Sequence, residues 1–180
     1  MTGLSLWQPW ASLYVLHEKH NETRDWALRH RGWLLIHAAK HFTRDERELC
    51  AREPFKAALA AHGYDDPAQL PLGAIVGAVH IAECFRIDAH TGGRITRKEY
   101  AFGNYAPGRY GFAADRALVL VTPLPWTGKQ GLFNIDLSLD ETDRILYDDG
   151  GRTYQLRVPV SSPPLKGDLG GCVAKTGATQ

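Results

Sequence analysis

The sequence has few cysteines, no long apolar run and almost no net charge. Its cysteines are far apart, with no C-x-x-C spacing, and they are Cys50, Cys84 and Cys172. This pattern predicts neither a zinc knuckle nor a disulfide framework, and it favours a reducing compartment. No apolar run reaches the roughly 18 residues that span a bilayer. The first apolar stretch, Leu4 to Leu16, lacks the basic segment of a signal peptide. We therefore expect a cytoplasmic protein that makes no contact with membrane.

The charges nearly cancel over the chain. The 180 residues contain 21 Lys plus Arg and 20 Asp plus Glu, for a net charge of +1. That is too little for non-specific adsorption to nucleic acid or anionic lipid, so any contact with a polyanion must be local. Hydrophobic residues make up 44% of the chain and charged residues 23%. These fractions are typical of one globular domain and exclude a disordered or coiled-coil chain.

Alternating and apolar segments predict short strands that are interrupted by two helical regions. The main predicted strands are Leu4–Gln8, Asn21–Trp26, Trp33–His37, Gly73–Phe85, Tyr110–Phe112 and Ala117–Thr122. Thr43 and Glu46 form a capping box that opens a helical region, which Pro54 divides and Gly63 ends. Regular crossover helices between the strands are missing. We therefore predict an α+β fold with a small mixed barrel rather than a doubly wound sheet.

The charge inverts near the C-terminus. Acidic residues outnumber the single Arg144 from Asp136 to Asp149. A turn cluster at 148–151 lies between two strand-like segments, Ile145–Tyr147 and Thr153–Val158, and predicts a hairpin. The end from Ser161 is rich in proline and glycine, so we expect a poorly ordered tail. We divide the chain into a domain, 1–135, and an acidic hairpin extension with its tail, 136–180. In one alternative, this extension docks a basic protein partner.

Ionisable residues are densest over residues 17–24, which read H-E-K-H-N-E-T-R. In chain order, the surrounding motifs are L-S-L-W-Q-P-W-A at 4–11, K-x-x-E-x-R at 19–24, R-G-x-L-x-I-H-A at 31–38, G-A-I-V-G at 73–77 and P-L-P-x-x-G-K-Q-G-L-F at 123–133. Together they resemble an ASCH domain of the PUA-like superfamily over about residues 4 to 135. The family motif is G-x-K-x-x-E-x-R, and His17 stands at the glycine. If that turn needs a positive φ, histidine is tolerated there at a cost.

The resemblance implies a PUA-like β-barrel with flanking helices, to which this chain adds a C-terminal hairpin extension. The helix after the first strand should border a cleft that holds the motif. Members of the family are thought to bind RNA or modified bases, and one short bacterial branch hydrolyses N(4)-acetylated cytidine. That branch uses the motif lysine, a threonine three residues later and a strand glutamate. Here the lysine is Lys19, the threonine position holds Glu22, and we expect the glutamate to be Glu83, on the strand face of Ile75, Val79 and Ile81. An amidohydrolase acting on N(4)-acylated cytidine through Lys19, Glu22 and Glu83 is therefore an alternative.

The residues themselves also suit a nucleobase pocket. Four tryptophans occur close together in the sequence, and aromatic faces can stack a splayed base; they are Trp7, Trp10, Trp26 and Trp33. Arg24 offers a planar fork for phosphate or a base edge, and Lys19 a movable point charge. Glu22 can accept from an exocyclic amine. We therefore predict binding of single-stranded or modified RNA, or of DNA or a free nucleoside, without a cofactor. The predicted binding residues are Trp7, Gln8, Trp10, Lys19, Glu22, Arg24, Arg109, Tyr110 and Lys129.

Packing explains part of the same pattern. Tryptophans in a small barrel more often fill the core, and Glu22 and Arg24 on one strand face would neutralise one another. Asp88–Arg109 is basic and aromatic without periodicity, so we expect a long surface loop. Such a loop is either a contact for single-stranded nucleic acid or simply solvated.

Ribonuclease activity is a further alternative, since RNA cleavage has been proposed for some members of the family. His37, Lys40 or His41 would act as general acid and base, and Tyr110 or Lys129 would stabilise a pentavalent phosphate. His37 and His41 have a spacing that binds zinc when it is helical. However, His37 ends a predicted strand and no third ligand has a suitable spacing, so we predict no metal site.

Overall fold

The computed structural model describes residues 1–139, 144–147 and 153–157. The strands in this part of the chain are β1 (Thr2–Leu6), β2 (Asn21–Arg24), β3 (Gly32–Ala38), β4 (Ala74–Arg86), β5 (Tyr110–Pro125), β6 (Leu132–Asn134), β7 (Leu137–Leu139), β8 (Arg144–Tyr147) and β9 (Thr153–Arg157). The α-helices are α1 (Trp10–Val15), α2 (Arg44–Cys50), α3 (Phe55–Ala60) and α4 (Arg97–Ala101), and two short 3-10 helices span Pro67–Gln69 and Thr91–Arg94. In the described residues, no helix is long and apolar enough to cross a membrane.

One mixed sheet organises the fold. The strand order is β6-β1-β3-β4-β5-β9-β8-β7, and β2 pairs separately with β5. Strands β1 and β3 are parallel, whereas β3, β4 and β5 pair in antiparallel fashion. Helix α1 contacts β1, β3, β4 and β5, so the sheet curls around it as a half-barrel. The predicted α+β class, a curled mixed sheet with flanking helices, is confirmed.

The sheet is buried on both faces, which explains its continuous apolar strands. One core cluster lies between α1 and the sheet and includes Leu4, Leu6, Ala11, Tyr14, Leu34, Ile36, Val79, Ile81 and Phe112. The second includes Leu35, Ile75, Ala78, Leu118, Phe133, Ile135, Leu137 and Ile145. Leu34 and Leu35 are neighbours in the chain but belong to opposite clusters, as side-chain alternation along a strand requires.

Two predicted strands are one strand in the structure. The segments Tyr110–Phe112 and Ala117–Thr122 both belong to β5. Opposite β5, His80 pairs with Arg116 and Ile81 pairs with Ala114, so Asp115 is an extra residue in a bulge. The bulge interrupts the alternation of side chains, and the sequence pattern therefore suggested two separate strands.

The segment from Asp88 to Arg109 is not the long surface loop that we predicted. It contains a 3-10 helix and α4. The Thr96 side chain caps α4 by accepting a hydrogen bond from the Glu99 backbone N–H, at 3.1 Å. Phe102 and Tyr105 are buried, so these two rings pack inside the fold and do not belong to an exposed loop. The pattern Thr96-x-x-Glu99 is itself a helix-start signal, and the lack of periodicity around it concealed the helix.

Several local predictions near the chain's middle and end are confirmed. Thr43 and Glu46 form the predicted capping box of α2, and Pro54 separates α2 from α3. Strands β8 and β9 pair as the predicted hairpin, and β9 also pairs with β5. The turn at 148–151, the tail from Ser161 and the acidic residues at 140, 141, 143, 148 and 149 lie outside the described residues. The division at residue 135 and the protein partner of the acidic region therefore stay predictions.

Candidate functional site

A cavity of about 730 Å³ lies where the parallel strands β1 and β3 end. We call it the main cavity. Because β1 and β3 run in the same direction, their carboxyl ends meet at one edge of the sheet, and α1 begins there as well. The lining residues are Ser5 and Leu6 at the end of β1, Trp7 and Trp10 after it, Glu22–Arg24 of β2, His37, Ala39 and Lys40 at the end of β3, Gly73 before β4, Arg109 before β5, and the loop 126–131 before β6.

The three ionisable residues of the motif converge. The Lys19 ammonium lies 3.1 Å from one carboxylate oxygen of Glu22, and Arg24 Nε lies 3.1 Å from the other. Lys19 also donates a hydrogen bond to the Asn21 carbonyl, and Arg24 Nη2 donates to the Ser5 carbonyl at 3.1 Å. The Lys19 side chain is only 1% exposed, so its charge depends on Glu22. The structure thus ties the Lys19 side chain into a buried ion pair and does not leave it free in the main cavity.

A left-handed turn places this triad. His17 follows α1 with a φ of 59°. His17 stands where the family motif has glycine, so the turn does adopt the positive φ that the motif suggested. After the turn, the backbone N–H groups of Glu18 and Lys19 both donate to the Leu13 carbonyl, at 3.0 and 3.1 Å. The chain then enters β2, which carries Glu22 and the rest of the motif. The turn therefore sets where Lys19 and Glu22 meet.

Glu99 holds the start of β2 in place, and our sequence analysis missed it. Its carboxylate accepts from the backbone N–H groups of His20 and Asn21, at 2.9 and 2.8 Å. Tyr105 donates its hydroxyl to the same carboxylate at 2.7 Å. Burial, together with the Glu99 charge, raises the pKa of Tyr105, so this hydroxyl stays a donor. Helix α4 therefore positions the motif without lining the main cavity.

The walls of the main cavity are cationic. Arg24, Lys40, Arg109 and Lys129 line it, against the single carboxylate of Glu22. Arg109 Nη2 donates to the Thr23 carbonyl at 2.9 Å, which fixes that guanidinium beside β2. Arg109 Nε is buried and has no hydrogen-bond partner among the described residues. In a chain of nearly zero net charge, this is a local positive site.

Three tryptophans line the main cavity. Trp7 is 51% exposed, and the His41 ring lies 4.1 Å behind it, tilted by 37°. Trp10 donates its indole N–H to the Phe102 carbonyl at 2.7 Å, so its ring is fixed. Trp126 comes from the loop before β6. A large apolar ring that is open to solvent at a cationic cavity is unusual for a packing residue.

The other two predicted tryptophans only pack. Trp26 lies against Phe112 with ring centroids 5.1 Å apart. Trp33 is an edge-on neighbour of His80 at 5.4 Å, and the Arg116 guanidinium lies over its ring at 5.1 Å. Neither lines the main cavity. Closeness in sequence did not predict a shared site, because the two residues lie on different strands or connections from Trp7 and Trp10.

His37 forms part of the cavity floor as a neutral ring. It is 3% exposed; its Nδ1 lies 3.1 Å from Ser5 Oγ and its Nε2 lies 3.1 Å from the Trp126 carbonyl. A carbonyl only accepts, so Nε2 carries the proton and Nδ1 accepts from the serine hydroxyl. Burial lowers the pKa of His37. A Cβ at Gly128 would collide with His37 and Ser5, so only glycine lets the loop approach so closely.

The buried imidazole predicts a pH dependence of stability. Because the folded-state pKa of His37 lies below its ordinary value of 6.5, the unfolded chain takes up this proton first as the pH falls. The free energy of unfolding should therefore decrease as the pH falls below about 6.5 and level off below the folded pKa. Urea denaturation between pH 7.5 and 5 should show a smaller decrease for His37→Gln than for the wild type. The control is His90→Gln, at an exposed position, which should lose as much stability as the wild type does over this pH range. An equal decrease in His37→Gln and wild type would contradict the prediction.

The zinc spacing at His37 and His41 is not realised. His37 lies in strand β3 with both ring nitrogens hydrogen-bonded, whereas His41 follows the strand and lies 3.5 Å from Glu46. In the described ranges, no group of three or more His, Cys, Asp or Glu residues is arranged to hold a metal ion.

Three predicted binding residues, Gln8, Tyr110 and Lys19, do not line the main cavity. Gln8 is fully buried; its amide donates to Ser12 Oγ and to the Pro71 carbonyl and accepts from the Ser12 N–H. All of its polar atoms are therefore used in joining α1 to the segment before β4. Tyr110 packs against the core between α1 and the sheet. Lys19 lies behind Glu22 and lines a neighbouring cavity. The predicted residues that do line the main cavity are Trp7, Trp10, Glu22, Arg24, Arg109 and Lys129.

A bulge in β4 moves Glu83 away from the face that alternation predicted. Ile81 pairs with Ala114, and Glu83 pairs with Ala113, the next residue of β5. Ala82 is therefore an extra residue, and the side chains after it change faces. Ile75 does not share a face with Val79 as predicted, because a second bulge lies between these two residues.

The changed register separates Glu83 from the motif. Both Glu22 and Cys84 lie opposite Phe112, on the face toward the core. Glu83 points to the other face, where it forms an ion pair with Arg94. The hydrogen bond from Arg94 lowers the pKa of Glu83. Glu83 does not line the main cavity, so the structure does not bring it to Lys19 and Glu22.

Comparison with known proteins adds a likeness of fold. No family model matches the chain, and no curated protein matches it. Among solved structures, it is similar to the crystal structure of ASCH from Zymomonas mobilis, at 16% sequence identity and a TM-score of 0.47. The match covers 74% of this chain and 86% of that chain. That structure carries the name of the family which the sequence motifs resemble.

Proposed function

We propose that this protein binds single-stranded RNA, or a nucleotide with a modified base, in the main cavity. One observation carries the proposal: four cationic side chains and an exposed tryptophan line one cavity in a chain whose net charge is only +1. Single-stranded nucleic acid is bound by this combination, because cations attract the backbone and aromatic faces stack the bases. The cavity volume, about 730 Å³, is within the range of small-ligand sites.

Each group has a distinct task in this proposal. Trp7 stacks a base on its open face, with His41 behind it. Arg24 and Arg109 are held by backbone carbonyls, so they present oriented donors to a phosphate. Lys40 and Lys129 are exposed and supply movable charge. Glu22 orients Arg24 through their ion pair, and we therefore assign it a positioning role.

Hydrolysis of an acylated cytidine has less support. A lysine nucleophile needs a free amine, whereas Lys19 is ion-paired and hydrogen-bonded. Glu83 lies on the other face of the sheet from Glu22, and no hydroxyl stands at the position of the family's threonine. Of the three acid–base candidates for ribonuclease chemistry, His37 has hydrogen-bond partners on both ring nitrogens, whereas Lys40 lines the main cavity and His41 lies beside Trp7. Gel analysis of the RNA recovered after incubation tests for cleavage directly.

The proposal predicts a salt-dependent affinity that changes with the cationic lining. Each phosphate contact lowers log K by about 0.7 per unit of log salt concentration for a single strand. Replacing exposed Lys129 with methionine should weaken binding and make that slope shallower by about 0.7. Fluorescence anisotropy of a labelled single-stranded RNA, titrated at several KCl concentrations, measures both.

Lys56→Met is the matched control. Lys56 is exposed on α3 and does not line the main cavity, so its replacement should leave the affinity and the slope unchanged. DNA of the same sequence separates recognition of the ribose from recognition of the charge. Equal effects of the two lysine variants, or no binding by the wild type at low salt, would count decisively against the proposal.

A further inference from the structure

A second cavity, of about 380 Å³, lies beside the main cavity. We call it the side cavity. The two cavities share Trp10, Glu22 and Thr23 in their walls. They are therefore adjacent compartments with a common partition, and a ligand that fills one lies next to the other.

The side cavity differs from the main cavity in charge. Leu49, Phe55 and Phe102 form its apolar wall. Its two ionised groups, Lys19 and Glu22, are paired with each other at 3.1 Å, so the wall is neutral overall. A neutral compartment with aromatic walls suits a planar base and does not suit a phosphate.

Trp10 forms a rigid part of the partition. Its indole N–H donates to the Phe102 carbonyl at 2.7 Å, and its ring meets Phe55 edge-on, at 6.5 Å between centroids. The N–H is thus already used, and what the residue offers to a ligand is its ring. Because Trp10 lines both cavities, it can contact a base on either side.

Two polar side chains are available in the side cavity to orient a base. Thr23 contributes its hydroxyl, and Asn104 lies at the rim. The Asn104 carbonyl oxygen accepts from the Ala106 N–H at 3.0 Å, which orients the amide so that its NH₂ group is the donor for a ligand. These groups suit a base edge that carries acceptors.

We propose that the site binds two successive nucleotides of a single strand, one in each cavity, with Trp10 between their bases. The inference rests on the proposed function and names its ligand more closely. A single strand alternates neutral bases with charged phosphates. The binding residues show the same alternation: the side cavity is neutral, and the main cavity beside it carries Arg24 and Arg109 next to exposed Trp7.

Calorimetry with defined ligands tests the inference. Adenosine 3′,5′-bisphosphate (pAp) has two phosphates and one base, whereas the 5′-phosphorylated ribodinucleotide pApA adds the second base. We expect pApA to bind at least about tenfold more tightly than pAp, since a stacked base contributes on this scale. Ala101 lines the side cavity from an exposed position of α4. In Ala101→Leu, the added side chain occupies part of that space, so the advantage of pApA should be lost while the affinity for pAp is unchanged.

Two further variants keep the test decisive. Ala60→Leu makes the same change at an exposed position of α3 that lines neither cavity, and it should behave as the wild type. Asn104→Ala should weaken the binding of pApA several-fold and leave the affinity for pAp unchanged. Equal affinities for pApA and pAp, or an advantage that survives in Ala101→Leu, would overturn the side-cavity inference and leave the proposed function standing. Failure of both ligands and of longer single-stranded RNA to bind would overturn both proposals.

Discussion

Replacing Glu22 with glutamine should lower the free energy of unfolding by about 3–5 kcal/mol. The carboxylate is the charged partner of the Lys19 ammonium, which is 1% exposed. Without it, a buried cation keeps the Asn21 carbonyl and the face of the Tyr14 ring, 5.6 Å away, but no counter-charge. Arg24 loses the same partner, but its side chain is 31% exposed and its Nη2 keeps the Ser5 carbonyl. Urea denaturation followed by tryptophan fluorescence measures the change.

Two comparisons isolate the cause of this loss. Glu48→Gln removes an exposed ion pair with Arg44 on α2, and it should cost no more than about 0.5 kcal/mol. The double variant Lys19→Met/Glu22→Gln removes the buried cation as well, so it should regain most of the lost stability. If Glu22→Gln proved as stable as Glu48→Gln, the triad would not be the buried ion network described here.

Replacing Trp7 with alanine should weaken binding of single-stranded RNA about 5- to 150-fold, because a stacked base contributes about 1–3 kcal/mol. The indole is half exposed, so its removal should change the affinity much more than the stability. Trp7→Phe keeps an aromatic face and should lie between the wild type and Trp7→Ala. Anisotropy titrations at one salt concentration give the affinities, and thermal unfolding gives the stability.

Tyr100→Ala is the matched control for Trp7→Ala. Tyr100 is an exposed aromatic residue, at 45%, in the basic segment 88–109, and it does not line the main cavity. The Tyr100→Ala variant should bind single-stranded RNA with the affinity of the wild type. A larger loss of affinity at Tyr100 than at Trp7 would move the binding surface to that segment and contradict the assignment of the main cavity.

Local patterns predicted much of the fold because they depend on neighbouring residues. The strand alternation, the Thr43–Glu46 capping box, the break at Pro54 and the hairpin of β8 and β9 all follow from short-range sequence. The left-handed turn at His17 was considered for the same reason. The spacing of Lys19, Glu22 and Arg24 was informative because β2 carries two of them and the turn before it brings in the third.

The errors arose where one extra residue or one distant contact decided the outcome. A single bulge at Ala82 places Glu83 on the opposite face from the motif. Glu99 was missed because its partners, the His20 and Asn21 backbones, lie far from it in sequence. Gln8 was assigned to the cleft, but its amide is fully used by Ser12 and Pro71.

By itself, the sequence determined where most of the strands lie along the chain, the helix starts on either side of Pro54 and the charged motif of β2, because propensity and side-chain periodicity act over a few residues. Only the tertiary structure decided which tryptophans line the cavity and which cations surround it. Trp7, Arg24, Arg109 and Lys129 come from four separate parts of the chain, and the register of the sheet brings them to one edge. Register depends on bulges and on packing across strands, so no short window of sequence contains it.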